Sequence, residues 1–259
     1  MLFRRLFLCA LLVGLCSGLV HSAVQRWQVL PLIAASEGFE AAAAAAPDHD
    51  HADASTVWAP ANGAERGAWT VIANVLSGTG YALLMLPLMA WWEQRSGRHA
   101  ASWRSGLLWG AAGWCCLFAL PALGLPPVLP GSAAAALHAR QAWWLLAAVS
   151  GVAALALLCL GREHLGRARW LAIALPLLPF AIGAPHADGS SFPGQSSEAA
   201  LQLQALSERF VLATGVATAA YWLVLGALAG AAVARWVRPL MPGSETPPEP
   251  LTAPAGALR

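Results

Sequence analysis

The run Asp48-His49-Asp50-His51, with Asp53 two positions on, packs imidazoles and carboxylates into six residues. Imidazole suits late first-row dications, and carboxylate adds charge with less selectivity. Two histidines at i, i+2 can reach one ion without imposing a geometry. That describes a capture site of modest affinity, and it equally describes an acidic, solvated loop with no ligand. A second set of donors comprises His21, His138 and His186 with Glu37 and Glu40. Each lies beside the end of an apolar stretch, on the side of the chain where the Asp/His run also falls. Inside or beside the apolar stretches the polar residues are few: Gln25, Gln28, Asn74 and Thr218 stand out. Such side chains hydrogen-bond across helices in lipid or line a pathway.

Other chemistries are excluded by what is missing. All 15 basic residues are arginine, so there is no lysine for a Walker A loop or a Schiff base. No H-E-x-x-H or C-x-x-C motif occurs. The five cysteines, Cys9, Cys16, Cys115, Cys116 and Cys159, lie in apolar runs and read as small core hydrophobes. The net charge of +2 gives no nucleic-acid signature. No catalytic constellation is left, and no prosthetic group is expected.

The elements that must position these donors are helices in a bilayer. The 259 residues are 58% hydrophobic and 11% charged, with a mean hydropathy of +0.58. Soluble domains carry about 25% charged residues. Apolar stretches run over 6–24, 69–92, 106–123, 142–160, 170–184 and 210–233. Crossing about 30 Å of hydrocarbon takes about 20 residues, which all but the fifth approach. The fifth holds Pro176 and Pro179, which remove helix donors. The expectation is an all-α polytopic bundle of six transmembrane helices, the fifth short and proline-broken, with five spans as the alternative. The bundle occupies residues 1–238, with a His/Asp loop over 37–68 and a proline-rich, disordered tail over 239–259.

Arginine bias sets the orientation. Eleven of the fifteen (Arg4, Arg5, Arg95, Arg98, Arg104, Arg162, Arg167, Arg169, Arg235, Arg238 and Arg259) fall on one side, which reads as the cytoplasm with both termini. Nine of the thirteen acidic residues fall on the other side. Residues 1–23 resemble a secretory signal with a weak cleavage site. Gly14 and Gly18, a small-xxx-small pair, favour their retention as the first helix. Of 13 tryptophans, ten, including Trp27, Trp69, Trp143 and Trp170, fall near span ends as an interfacial belt.

Several blocks in fixed order give the chain a resemblance to a known family. They are Met1-Leu2-Phe3-Arg4-Arg5; residues 28–33 leading to 36–40; the Asp-His-Asp-His run; residues 58–66; 73–76 with Gly78 and Gly80; 121–131 followed by 140–144; Gly183-Ala184-Pro185; and Arg209-Phe210. Together they resemble the CbtA family of probable cobalt transporter subunits over nearly the whole length. The resemblance implies a bacterial inner-membrane protein for Co²⁺ uptake, associated with cobalamin supply. It also implies a small CbtB-like partner with one span and a histidine-rich end. The leading expectation is capture of a divalent cation at the outer acidic/His face and passage through the bundle. The alternatives are an accessory or metal-sensing protein without conduction, and a membrane enzyme or haem protein. The histidines lie at span ends, where bis-His haem ligation does not fit.

Overall fold

The computed structural model describes residues 1–44, 60–97, 100–160 and 169–241, and every regular element among them is helical. Six apolar helices follow in order: α1 (Leu2–Ala42), α2 (Ala64–Ser96), α3 (Trp103–Ala122), α4 (Leu137–Cys159), α5 (Trp170–Ile182) and α6 (Ser197–Leu240). All except α5 are long and apolar enough to cross a membrane. Leu84, Leu108 and Leu212 stand 71%, 73% and 72% exposed among many other large apolar side chains. Such a surface is a liability in water and the solvated face in lipid. The fold is a polytopic membrane helix bundle of five long helices and a shorter one.

The helices alternate in direction. Asn74 of α2 meets Gln25 and Ser22 of α1, and further along Thr79 meets Gly14. Gly106 of α3 meets Gly226 of α6, and Gly110 meets Trp222. Trp143, near the start of α4, donates its indole N–H to the Pro179 carbonyl near the end of α5 (3.0 Å). Leu2 and Leu6 pack against the cluster holding Val237 and Met241, so α1 begins where α6 ends. At the other end Gln195 reaches the Phe39 carbonyl.

The longest helices overrun a bilayer. At about 1.5 Å per residue, the 41 residues of α1 and 44 of α6 reach about 60 Å or more, roughly twice the hydrocarbon thickness. The excess carries the carboxylates Glu37, Glu40, Glu198 and Glu208. There Leu129, from the α3–α4 connection, is buried against Val29, Phe210 and Ala217. The Ala133 N–H donates to the Ser191 carbonyl of the α5–α6 connection (2.8 Å).

Proline sets the local irregularities. Three widened π turns interrupt the helices, at Gln25–Val29, Cys115–Ala119 and Val233–Val237. Each ends two residues before a proline: Pro31, Pro121 and Pro239. A helical proline has no N–H to donate and its ring collides with the carbonyl four residues back. Widening the preceding turn relieves that collision. In α5, Pro176 falls in the 3₁₀ turn Leu175–Leu177, and Pro179 opens the short helical piece after it.

Several expectations are revised. The segment read as a loop from residue 37 begins as helix, because α1 continues through Glu37 and Glu40; the alanines that follow are the strongest helix formers. Of the cysteines, Cys9 and Cys116 are buried, whereas Cys16, Cys115 and Cys159 point outward from the bundle. Trp143 is buried and donates its N–H inside the bundle, whereas Trp27, Trp69 and Trp170 are exposed. His99, His164 and the tail beyond Met241 lie outside the described residues.

Candidate functional site

The polar centre of the bundle forms where α1, α2 and α6 meet. Small residues bring the backbones together there. A Cβ on Gly18 would fall 2.6 Å from the Val75 Cα, and one on Gly78 would fall 2.7 Å from the Gly14 carbonyl oxygen. No large apolar side chain fits this seam, so short polar ones fill it. The Ser17 hydroxyl donates to the Val13 carbonyl (2.8 Å) and that of Ser22 to the Gly18 carbonyl (2.8 Å), each inside its own helix.

One turn further along α1, His21 is 8% exposed. Its Nδ1 lies 3.2 Å from the Ala217 carbonyl oxygen of α6, and its Nε2 lies 3.0 Å from the Gln25 amide nitrogen. A carbonyl only accepts, so Nδ1 carries the proton and Nε2 takes the amide N–H of Gln25. The Asn74 amide nitrogen donates to Gln25 Oε1 (2.7 Å) and to Ser22 Oγ (3.0 Å). The result is one directional chain across three helices, from Asn74 through Gln25 and His21 to Ala217. The π turn beginning at Gln25 starts within it, and such turns recur at functional sites.

The arrangement has coordination chemistry built in. An imidazole whose Nδ1–H is held by a backbone carbonyl presents a fixed Nε2 lone pair, the usual outer-sphere support of a metal-ligating histidine. Rotation of the Gln25 amide would replace its N–H by Oε1 beside that nitrogen, and Asn74 carries a second amide oxygen. Tyr221 packs on His21 with ring centroids 4.8 Å apart. Its hydroxyl is buried and has no hydrogen-bond partner among the described residues. These neutral N and O donors suit a first-row dication in transit better than a permanent charge-neutralised site.

The other expected site residues are dispersed. Glu37 is paired with Arg66 at the start of α2 (2.7 Å). Glu40 is exposed and lies against Gly131. His138 and His186 are exposed on the α3–α4 and α5–α6 sides of the same end. Among the described residues no three His, Cys, Asp or Glu side chains gather as a metal-binding group. Asp48, His49, Asp50, His51 and Asp53 lie outside the described residues. Gln28 is half-buried just beyond Gln25. Thr218 serves a different contact: its hydroxyl donates to the Thr214 carbonyl (2.8 Å) and accepts the Trp114 indole N–H from α3 (3.2 Å).

Sequence reasoning missed Tyr81 and Tyr221, two aromatics on the seam whose rings stand 6.5 Å apart. It also missed Glu93 in the last turn of α2, a buried carboxylate paired with Arg238 (2.7 Å). The signal for Glu93 was its spacing four and eight residues from Met89 and Met85, which puts all three on one helix face.

An alternating helix bundle with lipid-exposed leucines and a buried polar seam defines a multi-pass membrane protein. Its family is equally definite. The chain belongs to the CbtA family, described as "Probable cobalt transporter subunit (CbtA)", which it matches over residues 3–234. No curated protein and no solved structure matches it. The family is one of transporter subunits rather than enzymes, its implied cargo is Co²⁺, and the word subunit implies a partner.

Proposed function

We propose that this chain is a subunit of an inner-membrane Co²⁺ uptake transporter whose ion enters along the α1–α2–α6 seam. The arginine-rich end, where both α1 begins and α6 ends, faces the cytoplasm. The opposite end gathers the ion: Asp48, His49, Asp50, His51 and Asp53 collect dications, aided by Glu40, His138 and His186. From there the ion meets His21, Gln25 and Asn74. A small CbtB-like subunit with a histidine-rich end supplies further ligands at that mouth. The packing of residues 2–23 between α2 and α6 supports their retention in the mature protein. The observation that carries this reading is the Asn74–Gln25–His21–Ala217 chain, a fixed imidazole lone pair inside a lipid-solvated bundle.

The driving force is physically sufficient without nucleotide hydrolysis. A negative-inside potential favours entry of a dication by about 4.6 kcal/mol per 100 mV.

The test is Co²⁺ flux into proteoliposomes holding the chain, with and without the small partner, under an imposed potential. Wild-type protein is expected to admit Co²⁺, with Ni²⁺ as competitor. His21→Ala is expected to lower the rate at least tenfold. His49→Ala/His51→Ala is expected to raise the Co²⁺ concentration needed for half-maximal uptake. Absence of flux with both subunits present would make the chain an accessory or sensing protein instead. Cleavage within residues 45–59 by protease added to inside-out membrane vesicles would reverse the orientation.

A further inference from the structure

The inner end of the same seam carries a second polar device. Met85, Met89 and Glu93 recur every fourth residue on α2, all buried on the face that meets α1 and α6. Cys9 of α1 and Met241 after α6 are buried in the same cluster as the two methionines. Asn74 and Tyr81 lie further out on that face of α2, so one helix face connects the His21 region to Glu93.

Glu93 is held by Arg238. Both Nε and Nη2 of the guanidinium reach its Oε1, each at 2.7 Å. The same Nη2 donates to the Ala101 carbonyl in the α2–α3 connection (2.8 Å). The two partners differ in exposure: the Glu93 side chain is 4% exposed and that of Arg238 24%. Arg238 follows the π turn Val233–Val237 and opens the 3₁₀ turn Arg238–Leu240, so it stands where the winding of α6 switches from wide to tight.

Resting on the transport reading, we propose that Glu93 is a divalent-cation station at the inner end of the seam, with Arg238 as its resident counter-charge and latch. Glu93 and Arg238 sum to zero charge. A dication on the carboxylate brings the ion and this pair together to +2, and the guanidinium is repelled. Arg238 is the more exposed partner and Glu93 the buried one, so the arginine leaves and the carboxylate stays. Departure of Arg238 also frees the Ala101 carbonyl, which releases the α2–α3 connection from the end of α6. The ion's exit is thereby coupled to opening of that end, and return of Arg238 closes it.

The proposal is tested by equilibrium dialysis of labelled Co²⁺ against purified chain in detergent, separately from flux. Arg238→Gln is expected to bind one more Co²⁺, or to bind it at least tenfold more tightly, than wild type. Adding Glu93→Gln to that variant is expected to abolish the gain. The neutral Glu93→Gln/Arg238→Gln pair is expected to keep a wild-type melting profile and lose uptake at least tenfold. The exchanged pair Glu93→Arg/Arg238→Glu is expected to keep the profile but not uptake. Unchanged Co²⁺ binding in Arg238→Gln would overturn the station. Wild-type uptake in either double variant would reduce the pair to a structural contact. A wild type without flux would sink the transport reading alone, because the dialysis result does not depend on it.

Discussion

Two seams in this bundle are built on the same plan and filled differently. Between α3 and α6, Gly106, Gly110, Gly226 and Gly230 set backbone against backbone: a Cβ on any of them would strike the facing helix's main chain. Between α1 and α2, Gly14, Gly18 and Gly78 do the same. Close approach in lipid comes from small residues, because apolar surface gains nothing by leaving lipid for protein. Yet the α3–α6 seam is flanked by alanine and tryptophan, whereas the α1–α2 seam opens onto Ser17, Ser22, His21, Gln25, Asn74 and Thr79. The first closes a contact. The second spends the same closeness on holding polar groups where water is absent, an outlay justified only if something polar uses them.

The largest effect separates the seams from the rest of the helix surface. Gly106→Leu with Gly226→Leu drives two side chains into main chain that has no rotamer to give. Overpacking typically costs about 1–3 kcal/mol per site even where side chains adjust. The double variant is expected to lose the monodisperse detergent-solubilised form altogether, as judged by size exclusion and thermal melting. Gly80 is the matched control on α2, since a Cβ there meets nothing within 4 Å. Gly80→Ala is expected to stabilise, by up to about 1 kcal/mol from helix propensity. Equal tolerance of both changes would erase the packing account of the α3–α6 seam.

A smaller effect on stability and a larger one on transport distinguish the seams from each other. Asn74→Leu removes two hydrogen bonds between α1 and α2 while keeping the volume close. Interhelical hydrogen bonds in membranes average about 0.6 kcal/mol and reach about 1.7, so the melting point is expected to fall modestly. Without Asn74, Gln25 is no longer oriented and His21 loses its ordered partner. Uptake is expected to fall at least tenfold while the folded yield stays near wild type. A loss of uptake only in proportion to folded protein would make the α1–α2 seam as structural as its counterpart.

The helices were legible because lipid asks one question of every residue, and long apolar runs answer it. Their ends were not. Glu37 and Glu40 read as loop because apolarity stops near Ile33, but helix continues on alanine propensity and on packing against α6. The π turns fall just before Pro31, Pro121 and Pro239, but Pro87 lies inside α2 with no such turn, so proline alone did not foretell them. Of the candidate site, His21, Gln25 and Asn74 could each be picked out as rare polar residues in apolar surroundings. Their connection could not, since it depends on which faces α1 and α2 turn to each other. Glu93 was hidden by position: a carboxylate near Arg95 and Arg98 at a helix end looks solvated, and its partner Arg238 is 145 residues away.

The smallest prediction turns on two adjacent residues of α6 that serve opposite seams. The Ala217 carbonyl accepts from His21 on one side, and the neighbouring Thr218 hydroxyl accepts from Trp114 on the other. Thr218→Val keeps the shape and removes the hydroxyl, leaving the Trp114 indole N–H unpaired against α6. In a membrane the cost is expected near the 0.6 kcal/mol average for such bonds, about as small as melting can resolve. The Ala217 carbonyl is untouched, so the His21 tautomer and the α1–α2–α6 chain persist. Uptake is therefore expected to stay within about twofold of wild type. A strong loss of flux in Thr218→Val, with folding intact, would move the ion's route to the α3 side of α6. The polar seam at α1 and α2 would then be the one that only holds the bundle together.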